Sequence, residues 1–325
     1  MREIEVSIVI PAYNAQQGIA RTVEACLKQE LPFPCETIVV DDGSTDDTAA
    51  RVRAWPVRYL YQENAGPAKA RNNGWKAASG GIVCFTDSDC IPRPNWVSAL
   101  LDGFESDDIA AVAGSYDIGN QESFLARCIH LEIKDRHAKF GREIRAFGSY
   151  NVAIRRTVLE RTGGFNESYR FPSGEDNDLS YRILKAGYRI AFRGNALVAH
   201  RHQERLGHYL AEQFRHGAWR MKLYRDFPDR ARGDDYTAWK DVVEPPLTLL
   251  LLISVLFLWN RYGVIAFFIL AASVGLLQIP AAKRVVKKER NLKFICLAGI
   301  TFLRAFARGL GMGQGIWRFW LSKPW

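Results

Sequence analysis

Two carboxylates one residue apart, Asp87 and Asp89, stand just past an apolar run, Gly81-Ile82-Val83-Cys84-Phe85. A run of this length after Gly-Gly reads as a buried strand. Its end delivers two negative side chains to the carboxyl edge of a sheet, where open α/β sheets bind ligands. Paired carboxylates there suit Mg²⁺ or Mn²⁺, hard ions that share a substrate's phosphates. The plain alternative is an Asp-Ser-Asp turn with no ligand. A second acidic group, Asp41-Asp42, ends the run Glu36-Thr37-Ile38-Val39-Val40. A third, Glu175-Asp176-Asn177-Asp178, follows Gly174 and opens a stretch that closes in Lys185-Ala186-Gly187. Acids in a first turn, bases late and a closing glycine are ordinary helix-end chemistry. Three acids in four residues exceed what capping needs, and crowding favours a retained proton, so one of them can act as a general base. His200 and His202 share one face of a strand. His200 is a candidate metal ligand, although a core or surface histidine is the commoner outcome and Mg²⁺ prefers oxygen.

Regular elements must hold these groups. Apolar runs at 6–10, 36–40, 57–61 and 81–85 predict strands, the first stopped by Pro11. Helical spacing at 16–27, around Ala49 to Arg53 and at 66–78 alternates with them, with Ser44 or Thr45 as cap of the second helix. This alternation predicts βαβ units and a mostly parallel sheet, so that acidic strand ends share one edge. Further strands are expected at 109–116, 149–154 and 196–202, and a helix at 122–140.

The 325 residues carry a net charge of +9, with 48% apolar and 24% charged residues, enough for one large core plus an appendage. The charged N-terminus enters a strand pattern directly, so no cleaved signal peptide is expected. Six cysteines without a CxxC pair read as reduced packing residues. Lys283, Arg284, Lys287, Lys288, Arg290 and Lys293 crowd between apolar segments. That placement points to a membrane face and away from nucleic acid.

The expected organisation is a soluble domain over 1–240 and a membrane region over 241–325. Pro245-Pro246 marks the boundary. Spans are expected at about 245–260 and 263–281, with Trp259 and Tyr262 at an interface. A basic cytoplasmic loop over 283–293 follows. The segment at about 294–312 is expected to lie in the interface, because Arg304 and Arg308 are costly in lipid, with Trp317, Trp320 and Trp325 as anchors. The soluble domain is placed on the cytoplasmic face of the plasma membrane.

Taken in order, several stretches resemble the family 2 inverting glycosyltransferases of the GT-A fold. They are Ser7 to Asn14 (SIVIPAYN), Ile38 to Asp46 (IVVDDGSTD), Asn64 to Gly74 (NAGPAKARNNG), Phe85 to Asp89 (FTDSD), Gly148 to Arg156 (GSYNVAIRR), Gly163 to Glu167 (GGFNE) and Glu175 to Gly187 (EDNDLSYRILKAG). The resemblance covers about two hundred residues. It implies a Rossmann-like sheet flanked by helices, a nucleotide-sugar donor, a divalent metal and displacement at the anomeric carbon. It further implies that Pro11, Ala12, Tyr13, Asp41, Asp42, Arg71 and Asp87 line the nucleotide pocket, with Asp42 facing the base. Asp87 and Asp89, with His200, would serve the metal. Asp176 would be the general base, with Glu175 beside it. The processive relatives carry Gln-x-x-Arg-Trp, and Gln213 to Trp219 does not match it, which favours one sugar per encounter. The expected acceptor is a membrane-associated glycan or lipid-linked sugar of cell-envelope synthesis. Transfer to a polyprenyl phosphate is the enzyme alternative, and an inactive membrane scaffold the alternative of another class. Neither GxGxxG after the first strand nor GxxxxGK[ST] is present, which excludes those dinucleotide and P-loop sites.

Overall fold

The computed structural model describes residues 5–231, 233–235, 237 and 239–321, so the expected anchor Trp325 lies outside the described residues. Contacts divide the chain into two units, 1–121 with 137–202, and 122–136 with 203–325. The boundary expected at 240 falls within the second unit.

The first unit is built on one sheet. Its strands are β1 (Val6–Ala12), β2 (Cys35–Asp42), β3 (Arg58–Gln62), β4 (Ile82–Thr86), β5 (Cys90–Pro92), β6 (Ile109–Ile118), β7 (Asn151–Arg155) and β8 (Arg189–His200), in the order β3-β2-β1-β4-β7-β6-β8-β5. The first four run parallel; β7 runs antiparallel to β4 and β6, and β5 antiparallel to β8. Helices α1 (Ile19–Leu27), α2 (Thr48–Arg53), α3 (Pro67–Ala77), α4 (Trp96–Leu101), α6 (Arg156–Thr162) and α7 (Glu175–Lys185) cover it, and the numbering leaves α5 for the second unit. Both faces are dry. Ile8, Ile10, Val39 and Cys84 pack on one side with Ile19, Val23 and Trp96. Val9, Ile38, Val40 and Phe85 pack on the other with Ala70, Leu179 and Ile183. Burial on both faces explains why these strands read as continuous apolar runs.

Two expectations change here. β1 does not stop at Pro11; it continues to Ala12. Its pairing with β4 ends at Val9↔Phe85, while pairing with β2 runs on to Ala12↔Asp41. With only one neighbour left, a residue without an N–H is tolerated. The opening beyond Val9, where the strand order reverses, is the crevice at which such sheets take ligands. The start of α2 is held by Asp46, whose Oδ1 accepts from Thr48 N at 3.0 Å, and not by Ser44 or Thr45. Ser44 Oγ instead accepts from Asn14 N, and Asn14 Oδ1 accepts from Thr45 N.

The second unit is helical, with α5 (Phe124–His137), α8 (Leu206–Asp226), α9 (Trp239–Ser254), α10 (Arg261–Leu276), α11 (Ile279–Glu289) and α12 (Cys296–Ile316). Pro245 and Pro246 lie inside α9 and do not precede it. α9 and α10 form a hairpin. Its tip is capped by Asn260, whose side chain accepts from Gly263 N at 2.9 Å. Its base is tied by Gln278 Nε2 donating to the buried Glu244 at 2.8 Å, with Lys240 at 3.1 Å. Arms of 16 residues each reach about 24 Å. Leu250 and Ile253 on α9, Leu256 and Trp259 in the connection, and Tyr262, Phe268 and Ile269 on α10 stand exposed. Among the described residues, two stretches are long and apolar enough to cross a membrane, Arg261–Glu289 and Leu292–Leu321. The expected span at 245–260 is not one of them. Within Leu292–Leu321, Arg304 pairs with Glu132 through both terminal nitrogens at 2.5 and 2.7 Å, and Arg308 donates to Asp241 at 3.0 Å and to Gln213 at 2.8 Å. α12 packs backbone to backbone on α8: a Cβ on Gly311 would lie 2.0 Å from Phe214 O, and one on Gly315 2.3 Å from Ala218 O. Gln213 and Trp219, the nearest approach to the processive motif, serve this packing, Trp219 through Phe319.

Candidate active site

The site lies at the carboxyl ends of β1, β2 and β4. Ala12 ends β1 buried, and Tyr13 after it is exposed. Successive residues on a strand face opposite ways, and Asp41 and Asp42 are used differently as a result. Asp41 accepts from Tyr59 Oη at 2.7 Å and Ser44 N at 2.8 Å. Burial and this carboxylate push the Tyr59 hydroxyl up to about 12, so it stays a donor. Asp42 accepts from Gln62 Nε2 at 2.6 Å, Ala65 N at 2.8 Å and Gly66 N at 2.9 Å. It shapes the turn into α3, where Gly66 is required twice over, by φ +97° and because a Cβ would meet Arg170 O at 2.6 Å. Gln62 and Asn64 were not singled out from sequence. Their signal was the polar break after β3, ahead of Gly66-Pro67.

α3 carries Arg71 inward. Its Nη2 donates to Asp87 Oδ1 at 2.7 Å and its Nη1 to Glu175 Oε1 at 3.0 Å. Burial alone would lower the Arg71 guanidinium, but Asp87 and then Glu175 outweigh it and hold it above its ordinary value. Glu175 is buried, and its Oε2 accepts from Ser173 N and Gly174 N at 2.9 and 3.1 Å. Asp176 is half-buried on the first turn of α7, with Oδ1 accepting from Asn177 N at 2.8 Å. Asp178, the third acid of this first turn, does not cap the helix. Its Oδ1 accepts from Arg182 Nε at 2.6 Å and its Oδ2 from Asn166 Nδ2 at 3.1 Å, both to the side of the helix.

Beyond Asp87 the chain turns into β5, whose Cys90 pairs with His200 on β8. This register brings His200 Nε2 to 3.5 Å from Asp89 Oδ2. Ligand atoms of Asp89, Cys90 and His200 lie within 4.8 Å of one another. Burial, and the carboxylates of Asp89 and Asp87, push the Cys90 thiol well above its ordinary value, so it is a poor ligand. The half-exposed Asp89 and the imidazole of His200 remain a fitting pair for a divalent ion such as Mn²⁺.

Residues 7–163 match the family model described as Glycosyl transferase family 2. The pre-mycofactocin glycosyltransferase of Mycobacterium tuberculosis (strain H37Rv) is 32% identical over 238 residues, 70% of this chain and 49% of that relative. The chain thus spans about half that relative's length. Glycosyltransferase AglE of Haloferax volcanii is 27% identical over 231 residues, 67% of this chain and 74% of that relative. In fold, the chain is similar to the mannosyltransferase PcManGT from Pyrobaculum calidifontis, solved with GDP-Man and Mn²⁺. The TM-score is 0.60 at 19% identity, over 98% of this chain and 88% of that one. The fold is that of the GT-A glycosyltransferases. Through residues 7–163 the chain belongs to glycosyl transferase family 2.

Proposed function

We propose that this protein transfers a sugar from a nucleotide-sugar donor to an acceptor hydroxyl at a membrane surface, with inversion at the anomeric carbon. The observation that carries this reading is Arg71, which joins the strand-end carboxylate Asp87 to Glu175 at the start of α7. One buried cation thereby holds a diphosphate-facing edge and a base-bearing helix together. Asp42 and Tyr13 flank the pocket for the nucleoside. Asp89 and His200, with Asp87 beside them, hold Mg²⁺ or Mn²⁺; a bound ion there supplies the positive charge that a departing diphosphate needs. Asp176 takes the acceptor proton during attack from the face opposite the leaving group. The transition state has oxocarbenium character, as in other glycosyl chemistry. Glu175 is saturated by Arg71 and two backbone N–H groups, so its part is to place α7. Asp41, tied to Tyr59 and Ser44, shapes the pocket wall from behind.

The second unit supplies the membrane attachment. The exposed apolar arms of α9 and α10 insert, with Trp259, Arg261 and Tyr262 at the far interface. The basic residues of α11 stay on the near side with the first unit, which faces the cytoplasm. α12 lies along the interface despite its length. It is packed on α8, which carries Glu212, Arg215, Arg220 and Lys222, and its arginines are paired with Glu132 and Asp241. The acceptor in this reading is carried on a lipid of the same membrane.

Release of nucleoside diphosphate from a panel of nucleotide sugars, with the product anomer read by NMR, tests the reading. One sugar turned over with inversion is expected. Failure to bind or turn over any nucleotide sugar overturns it.

A further inference from the structure

His200 is engaged at both ring nitrogens. Its Nε2 faces Asp89 Oδ2 at 3.5 Å, and its Nδ1 lies 3.2 Å from Nδ1 of His202. Two neutral imidazoles meeting through one nitrogen each share a single proton, so one ring donates and the other accepts. If His202 donates, His200 carries its remaining proton on Nε2 and turns an N–H toward Asp89. If His200 donates, its Nε2 presents a lone pair to the same place. The contact between the rings is at hydrogen-bonding distance, whereas 3.5 Å from Asp89 is long for an N–H···O bond, so the ring–ring bond is the one that selects the tautomer. A cation between Nε2 and Asp89 favours the lone pair there.

His202 is held in place beside His200 by its backbone and by ring packing. It is 6% exposed. Asn120 fixes its backbone twice, donating from Nδ2 to His202 O at 2.8 Å and accepting from His202 N at 3.1 Å. Tyr116 packs against both rings, with centroids 5.2 Å from His200 and 5.6 Å from His202, and is itself stacked on Tyr150 at 3.8 Å. Tyr116 and the two Asn120 bonds thus favour the side-by-side placement of the His200 and His202 rings.

We propose that His202 is a positioning residue: it accepts the Nδ1 proton of His200 and so fixes the tautomer whose Nε2 lone pair, beside Asp89, is directed at a divalent cation. The inference rests on the reading of Asp89 and His200 as metal ligands. Histidines that bind metals usually donate their other ring N–H to such a partner, and its loss costs about 10–100-fold in metal affinity.

The test is Mn²⁺ binding to the full chain, without donor or acceptor, followed by the EPR signal of free Mn²⁺. The proteins compared are the natural sequence, His200→Ala, His202→Phe and His202→Asn. The asparagine carbonyl can stand where His202 Nδ1 stands and accept the same proton. His202→Phe is expected to weaken Mn²⁺ by about 10–100-fold, and His202→Asn to keep most of the affinity. Nitrogen NMR of the metal-free protein is expected to show His200 protonated on Nδ1. Unchanged affinity in His202→Phe, equal loss in both His202 variants, or an Nε2–H tautomer for His200 overturns the inference. Unchanged affinity in His200→Ala overturns the underlying metal-site reading instead.

Discussion

The Arg71 guanidinium donates to the Asp87 carboxylate at 2.7 Å, from the buried face of α3 to the end of β4. Arg71 is 3% exposed and Asp87 is one-third exposed, so the pair places a held carboxylate at the rim of the ligand crevice. The other terminal nitrogen serves Glu175. A planar, two-sided donor is needed for this, and lysine offers only a point charge.

Arg71→Met is therefore expected to leave Glu175 buried without its cation and to destabilise the fold by about 3–5 kcal/mol. Arg71→Lys should recover part of that stability but little nucleotide affinity. Thermal unfolding and diphosphate titration of both variants separate the two effects.

Asp176→Asn is expected to lower turnover by about 10²–10⁴-fold while donor binding and unfolding temperature stay as they are. Asp178→Asn should behave in the opposite way. It removes a charged acceptor from Arg182 and Asn166 at a buried position and costs about 1–3 kcal/mol of stability, with turnover in the surviving fold little changed. Full activity in Asp176→Asn would point to a phosphate acceptor, which needs no base.

These two aspartates show what the sequence could and could not tell. All three acids of 175–178 were visible as a helix start, and the family resemblance selected Asp176. The lateral partners of Asp178 come from residues 12 positions earlier and one helical turn later, and periodicity alone does not separate such a role from capping. The parallel strands were legible because burial on both faces makes them continuous apolar runs. The extension of β1 past Pro11 was not, because it depends on where β4 stops pairing. In the second unit, local hydropathy located the hairpin, but the helical path through Pro245 and Pro246 follows from packing on α12. The acids that neutralise Arg304 and Arg308 sit 172 and 67 positions away, beyond the reach of any local pattern.

Glu132 makes one of those pairs, and it sets an acid limit. Burial raises its carboxyl, but Arg304 and then Arg136 outweigh this and hold it at about 2, below the ordinary value of 4.5. A carboxyl lowered by folding stabilises the native state above its unfolded pKa and loses that contribution as pH falls toward the folded one. Stability of the second unit is thus expected to fall between about pH 4.5 and pH 2. Glu132→Gln should lessen this acid dependence, leaving the part due to Asp241, which the same arginines hold low, and destabilise the protein by about 3–5 kcal/mol at neutral pH, since Arg304 would lose its carboxylate partner. Unfolding temperature against pH for both proteins checks the sign. An unaltered acid slope in the variant would contradict it.

For the membrane attachment, a cysteine placed at Asn260 is expected to react with an impermeant thiol reagent from outside, and one at Lys287 only after the membrane is opened. The protein should stay with the membrane in high salt, which removes proteins held by charge alone. Complete release by salt would leave α9 and α10 without their assigned place.

The central claim is that the edge built by Asp87, Asp89 and His200 receives the diphosphate of a nucleotide sugar. Calorimetric titration of the full chain with UDP, GDP and dTDP, with Mn²⁺ and with excess chelator, tests it most directly. At least one diphosphate should bind with Mn²⁺ and lose at least tenfold in affinity when the ion is removed, a difference of about 1.4 kcal/mol. Asp89→Ala should bind weakly in both conditions. Equal affinity with Mn²⁺ and with chelator, or no binding of any of the three, would contradict the account.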